Sequence, residues 1–331
     1  MSKKVQITLS VVVPCFNEEA VIDMTHSTIK QMLGGRSDFD LEVIYVDDGS
    51  QDNTASIIEG FMDGDDSVRL VPLSRNFGHQ AAVTAGMEAA RGDIVAIMDA
   101  DLQDPPEIIL EMFAKWREGF EVVYGVRTHR KEGLLKRIAY ANFYRLYRWL
   151  ADIDVPLDSG DFSLMDRQVV DVMNALPEKN RFNRGLRSWA GFRQTGLVYE
   201  RAARAAGDAK YSWRHLLALA FDGIFSFSTT PLRLIFFVGV SVAALAAGSS
   251  VFYFLFGAFG LEIFGRGPED VPGFTSLMLA ILFFSGVQLI SIGILGEYLG
   301  QIYNEVKRRP TYVVKHGSQP RDEGEAGEGK L

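Results

Sequence analysis

The sequence predicts an α/β fold on a mainly parallel sheet, followed by a hairpin of two membrane-spanning helices, and two observations carry that prediction. Over residues 1 to about 126, short β-rich runs alternate with amphipathic helical stretches, the pattern of βαβ units whose strands are covered on both faces. Beyond residue 230 the composition turns strongly apolar in two long stretches. A third feature agrees with both: 47% hydrophobic residues in 331 is high for a chain with no membrane segment.

The first run, LSVVVP, follows two lysines but has no small-residue cleavage site behind it, so it reads as a buried first strand and not as a signal peptide. LEVIYVDD, VRLVPL, DIVAIMDAD and FEVVYG are the next strands. Polar residues gather where the runs end: Asn17 after the first, Asp47 to Ser50 after the second, Asp99 to Asp101 after DIVAIM. Open α/β sheets bind ligands at those carboxyl ends. The single cysteine, Cys15, excludes an intramolecular disulfide and a cysteine-rich metal site, and its apolar setting favours packing over chemistry. A net charge of −8 argues against nucleic acid as a partner.

Between sheet and spans lies LLKRIAYANFYRLYRWL, residues 134–150, with Leu135, Ile138, Phe143, Leu146 and Trp149 toward one side of a helix and Lys136, Arg137, Arg145 and Arg148 as cations. An interfacial helix against anionic headgroups is expected; a core-packed helix with a solvated basic face is the plainer alternative. A juxtamembrane segment at 211–231, containing YSWRHLLALAFDGIFSFS (211–228), leads into the first span. The spans are placed at about 232–259 and 274–299, within which Leu232 to Phe259 and Phe274 to Leu295 carry no charged side chain after Arg233. At about 1.5 Å per residue each is long enough for a hydrocarbon core of roughly 30 Å. Arg204, Lys210, Arg214 and Arg233 precede the first span and Lys307, Arg308 and Arg309 follow the second, whereas the connecting EIFGRGPEDVPG is acidic on balance. The positive-inside rule then puts both termini in the cytoplasm of a multi-pass inner-membrane protein. Residues 300–331 read as a cytoplasmic tail, disordered from about 316 by its Gly, Glu, Ser and Asp content.

The chemistry-bearing residues sit at the strand ends. Asp99-Ala100-Asp101, with Gln103 two residues on, is an oxygen-rich turn suited to Mg²⁺ or Mn²⁺, although helix-capping acidic turns are commoner than metal sites. Asp48, beside Gly49, can accept from a uracil imino group or ribose hydroxyls, and Phe16 offers a face to a base; for each, a simple strand-to-helix turn is the alternative. Three acidic turns at three sheet ends are harder to dismiss than one.

VVVPCFNEE, VDDGSQDNT, SRNFGHQAAVTAG and DADLQDPPE, in this order and spacing, resemble the family 2 glycosyltransferases of GT-A fold, and within them the polyprenyl-phosphate glycosyltransferases, whose best-known members are the dolichol-phosphate mannose synthases and the bactoprenol glucosyltransferases. SGDFSLMDR, RFNRGLRSWAGFRQTG, FDGIFSFSTTPLR and LGEYLGQIYNEVKRRP extend the likeness over nearly all of residues 8 to 314. The two-span ending points to the bactoprenol branch. The resemblance implies a 1–210 glycosyltransferase domain in which Pro14, Phe16, Glu18, Val46 and Asp48 hold the nucleoside, with Asp99, Ala100 and Asp101 at the diphosphate. It implies Asp99, Asp101 and Gln103 as the site of the metal. Arg127 with Lys136 or Arg137 would receive a lipid phosphate, Arg201 or Arg204 would belong to a loop closing over the phosphates, and Asp161 would be the catalytic carboxylate. Two departures stand out: Ala209 in GDAKY where relatives commonly have a hydroxyl, and Phe16 where tyrosine is usual.

The implied reaction is inverting transfer of a hexose from a nucleotide-sugar to a polyprenyl (undecaprenyl) phosphate. UDP-glucose is the first choice of donor on branch resemblance alone, with N-acetylhexosamine, mannose and aminoarabinose donors open. A processive polysaccharide synthase would share the motifs, but no QxxRW occurs and two spans are few for a polymer channel; a flippase subunit would explain the spans but not the carboxylates. Packing between spans leaves a homo-oligomer open.

Overall fold

The computed structural model describes residues 7–127, 159–179, 181–200, 229–259 and 273–315. The expected helix at 134–150, the segment at 211–228, Lys136, Arg137, Arg201, Arg204, the Ala209 loop and the tail from 316 lie outside the described residues. The chain divides into two units, one holding the sheet and the other the long apolar helices.

The sheet unit alternates as expected: β1 (Thr8–Cys15), α1 (Ile22–Leu33), β2 (Asp40–Asp47), α2 (Thr54–Met62), β3 (Val68–Pro72), α3 (His79–Ala89), β4 (Ile94–Ile97), α4 (Glu107–Arg117) and β5 (Val122–Arg127). Beyond these come β6 (Ser159–Asp166), α5 (Arg167–Ala175), α6 (Asn183–Trp189) and β7 (Gln194–Tyr199). β6 falls in SGDFSLMDR and β7 begins at the end of RFNRGLRSWAGFRQTG, stretches noted for their resemblance and not for strand periodicity. The sheet order is β3-β2-β1-β4-β6-β5-β7. β1 pairs in parallel with β2 and β4, and β5 with β7, while β6 runs antiparallel between β4 and β5.

β-branched residues drive this arrangement. Val11, Val12 and Val13 of β1 and Val43, Ile44 and Val46 of β2 are fully buried, as a strand covered on both faces requires. α1 buries Ile22, Thr25, Ile29 and Leu33, one stripe at helical spacing. Each fully buried aliphatic side chain contributes about 1.5–3 kcal/mol. α3 packs tightly on the sheet at Gly86, where a Cβ would stand 2.2 Å from Val12 Cγ1 and 3.1 Å from Val46 Cγ2.

Toward the amino ends of the strands the polar groups are closed among themselves. Glu42 accepts from Ser10 Oγ at 2.5 Å, Arg69 Nη1 at 2.9 Å and the Arg91 N–H at 3.0 Å. At the carboxyl ends the chain turns through left-handed backbone at Asn17, Gly49 and Leu102. β1 sits between β2, reached by the first crossover, and β4, reached by a later one, so a topological switch point opens there.

The second unit carries α7 (Thr230–Ala258) and α8 (Phe274–Val306). Both are long and apolar enough to cross a membrane over Thr230–Ser249 and Phe283–Val306, and their apolar side chains, Phe236, Leu245, Phe283 and Leu289 among them, are exposed. α8 continues to Val306, past the expected span end at 299. Within the sheet unit an isolated bridge joins Val314 to Leu73 just beyond the end of β3, ahead of the stretch from about 316 that the sequence expects to be disordered.

Candidate active site

Two strand-end turns, after β1 and β2, are sewn together. The Asn17 N–H donates to Ser50 Oγ at 2.9 Å, the Gln51 N–H to Asn17 Oδ1 at 2.8 Å and the Glu18 N–H to Thr54 Oγ1 at 2.9 Å. Asp48, only 3% exposed, accepts from the Phe77 N–H at 2.7 Å and the Gly78 N–H at 2.9 Å. Burial raises its pKa, and those two N–H groups hold it down in part. The Asp48 carboxylate thus orders the loop from β3 to α3. Phe16 is half-buried. Pro14 is buried and Val46 fully so, with Val46 turned toward α3 and paired on both sides, with Pro14 and Val71, so that its side chain faces away from any ligand at the strand ends. Cys15 is buried, and burial with the carboxylates of Glu18 and Asp47 nearby pushes its thiol well up, which suits packing.

The turn after β4 is anchored from below, because the Ala100 carbonyl accepts from Thr25 Oγ1 of α1 at 2.6 Å. Asp99 is one-third exposed; Asp101 and Gln103 are each 8% exposed, and the Gln103 N–H donates to Asp101 Oδ1 at 3.1 Å. Burial raises the pKa of Asp99, with Asp104, Asp161 and Asp101 adding to the rise and His79 opposing it. A carboxylate so placed is relieved by a cation, and the donors are hard oxygens, so the residues fit Mg²⁺ or Mn²⁺. Among the described residues no three His, Cys, Asp or Glu side chains converge as a cage.

Asp161 reaches this edge because β6 is antiparallel. Ile97 pairs with Ser163, so continuing the register past the end of β4 sets Asp161 opposite Asp99. Around its carboxylate stand Gln80 Nε2 at 2.9 Å, Arg184 Nε at 3.3 Å and His79 Nε2 at 3.4 Å. His79 also lies 3.8 Å from Asp99. Burial alone would raise the Asp161 pKa, but Arg184, His79 and Arg187 together hold the group well below the usual carboxylate range. Burial pulls His79 the other way, yet its bond to Asp161 and the charges of Asp99 and Asp161 outweigh burial and Arg184 and lift it to about 9. Behind them Arg187, 2% exposed, lies over the Tyr124 ring at 5.3 Å, and burial pushes it down to about 10 against the pull of Asp161. The Asn183 N–H donates to Gln80 Oε1 at 2.9 Å, which fixes the Gln80 amide toward Asp161.

Arg127, at the end of β5, pairs with buried Asp104 at 3.5 Å and donates from Nε to Tyr199 at 3.4 Å; the Tyr199 hydroxyl in turn donates to Asp104. Its charge is therefore shared with a carboxylate of the 101–104 turn. Of the residues marked from sequence, Asp48, Asp99, Asp101, Gln103, Arg127 and Asp161 gather at one end of the sheet. Sequence reasoning assigned no role to His79, Gln80, Arg184 or Arg187. The signals were present: FGHQ at a helix start, and arginines at 181, 184 and 187 spaced by three.

The profile of "Glycosyl transferase family 2" matches residues 10–173. An uncharacterized glycosyltransferase of Bacillus subtilis, YkcC, is 46% identical over 316 residues, 95% of each chain. A prophage bactoprenol glucosyl transferase homolog of Escherichia coli is 40% identical over 311 residues, 93% of this chain and 98% of the relative. The bactoprenol glucosyl transferase of Shigella phage SfII is 40% identical over 311 residues, 93% of this chain and 97% of the relative. Among solved structures, glucosyl-3-phosphoglycerate synthase from Mycobacterium tuberculosis in complex with Mn²⁺, UDP and phosphoglyceric acid is similar at 21% identity and a TM-score of 0.44, over 66% of this chain and 76% of that one.

Proposed function

The chain belongs to glycosyl transferase family 2, and from that footing we propose that it transfers a hexose, glucose from UDP-glucose first among candidates, to a polyprenyl phosphate at the cytoplasmic face of the inner membrane. The observation that carries the reading is the meeting of the Asp99–Asp101 turn with the Asp161, His79 and Arg184 cluster at one sheet end. Full-length relatives with bactoprenol glucosyl transferase in their names support the acceptor class and the sugar. Two exposed apolar helices with basic residues before the first and after the second support the membrane and its sidedness.

The acceptor needs little help from a base. A phosphate monoester has its second pKa near about 6, so at neutral pH it is mostly dianionic and nucleophilic already. Asp161, held ionised by its cations, is a weak base; its suited task is to accept hydrogen bonds from the sugar and hold it in line. The demanding step is to bring an anionic acceptor toward an anionic donor. Arg127 and Arg184 supply positive charge preorganised by neighbouring carboxylates, so no reorganisation is needed as the anomeric carbon reacts. Asp99, Asp101 and Gln103 would hold Mg²⁺ or Mn²⁺, which supplies neutralisation of the departing diphosphate. Asp48 and Phe16 take the nucleoside. Attack opposite the leaving group gives inversion in a single displacement.

A panel of labelled nucleotide-sugars with undecaprenyl phosphate tests the reading. UDP-glucose is expected to give one sugar per lipid, with no transfer by Asp101→Ala protein that still inserts in membranes. A growing polymer, or full turnover by Asp101→Ala, refutes it.

A further inference from the structure

Residues 309–315, separated from α8 by two residues, meet the sheet at the carboxyl end of β3. β3 is an edge strand of the sheet, and of its residues only Pro72, the last, is bonded by this segment. Just past its end, the Ser74 N–H donates to the Val313 carbonyl at 2.8 Å and the Lys315 N–H donates to the Pro72 carbonyl at 2.8 Å, either side of the antiparallel Leu73–Val314 bridge. Leu73 is held from its other side as well, its N–H donating to the Asp47 carbonyl at 2.8 Å. Two side-chain ties fasten the segment to the rest of the unit: the Tyr312 hydroxyl donates to Glu88 in the last turn of α3, and Lys179 donates to the Arg309 carbonyl.

What this edge strand holds is the loop that closes on Asp48. From Ser74 the chain passes in four residues to Gly78; Phe77 and Gly78 give both their N–H groups to the Asp48 carboxylate, and α3 then opens with His79. The backbone of Arg75 packs so tightly on the Gly49 turn that a Cβ at Gly49 would come within 2.5 Å of the Arg75 carbonyl carbon. The loop is therefore clamped between two partners, the Asp48–Gly49 turn on one side and Val313 on the other. Residues 309–315 reach the start of the loop through Ser74 and the last turn of α3, the helix that follows the loop, through Glu88.

We infer that Arg309–Lys315 is a positioning strap for the nucleotide-sugar site: it holds the Ser74–Gly78 loop in register so that Asp48 and His79 stand ready for the donor. The inference rests on the reading of Asp48 as part of the nucleoside site. In the chain, Lys307 and Arg308 alone separate the strap from α8. Severing it leaves both apolar helices in place and alters the donor site.

The test compares Lys315→Pro, which removes the N–H given to Pro72, with Lys315→Ala, which keeps it, both in the full-length protein in lipid nanodiscs. Amide hydrogen exchange read without nucleotide is expected to rise at Phe77 and Gly78 in Lys315→Pro and to stay at the wild-type rate in Lys315→Ala. Titration with UDP and Mg²⁺ is expected to show affinity about 3- to 10-fold weaker in Lys315→Pro, the net worth of one backbone hydrogen bond transmitted to the site. The KM for UDP-glucose should rise by a like factor, with kcat at saturating donor within about twofold. Unchanged exchange at Phe77 and Gly78 overturns the strap whatever ligand the protein takes. Wild-type protein that binds UDP no better than Lys315→Pro overturns the positioning role and leaves the site reading standing, whereas wild-type protein that binds no nucleoside diphosphate overturns both.

Discussion

Replacing Asp161 by asparagine keeps the shape of the side chain and removes its charge, and the surroundings of Asp161 set the consequence. Its carboxylate is 11% exposed and serves as counter-charge for Arg184 at 3.3 Å, His79 at 3.4 Å and, behind them, Arg187. Arg184 and His79 keep 24% and 42% of their side-chain surface, so water can take up part of their loss. Arg187 at 2% exposure cannot recover that way. Removing one partner of a buried pair costs about 3–5 kcal/mol, and the partial exposure of two of the three cations places Asp161→Asn at the low end, about 3 kcal/mol. For a domain of this size about 1 kcal/mol corresponds to roughly 2–4 °C, so the metal-free protein should melt about 6–12 °C lower. Differential scanning fluorimetry of the full-length protein reads this, and the pairing is isolated by a cycle with Arg187→Met. If Asp161 is what makes a buried Arg187 tolerable, the double variant regains most of the lost melting temperature, since an apolar replacement of a buried ion pair is close to neutral. A melting temperature within about 2 °C of wild type for Asp161→Asn, or a double variant equal to the sum of the two singles, refutes this account of the cluster.

Two further expectations follow from the same geometry. Gly49→Ala places an L residue at φ 72° against the Arg75 backbone; the left-handed conformation costs about 1–2 kcal/mol by itself, and the displaced loop loosens Phe77 and Gly78 from Asp48, so UDP affinity should fall by at least about tenfold in calorimetric titration. Equal affinity would mean that the loop tolerates the shift. His79 has its pKa raised from 6.5 to about 9, so its stabilising contribution to the metal-free protein is fully present below about pH 6.5 and is lost as pH rises through about 9. The gap in melting temperature between wild type and His79→Asn should therefore close between pH 6.5 and 9.5, and a gap constant over that range would show that His79 carries no such charge.

Much of the fold was legible because it depends on local pattern. Charge-free apolar stretches and alternating β-rich runs report burial directly, and the three acidic turns follow from where strands must end. The antiparallel β6 was not legible by periodicity: a strand inserted between β4 and β5 is buried on both faces, and its direction leaves no mark on composition. Nor was the strap, whose bonds are backbone to backbone and so independent of which side chains stand at 313 and 315.

The sequence by itself determined the class of chemistry in this protein through the order and spacing of motifs that resemble one family, while hydrophobic runs fix the strand ends at which Asp48, Asp99 and Asp101 stand. Tertiary structure alone decided what surrounds Asp161. His79, Arg184 and Arg187 lie 82, 23 and 26 positions from it in the chain, and only the antiparallel return of β6, with α3 and α6 packed beside it, brings their charges together. Electrostatic energy depends on distance and burial, which sequence separation does not encode.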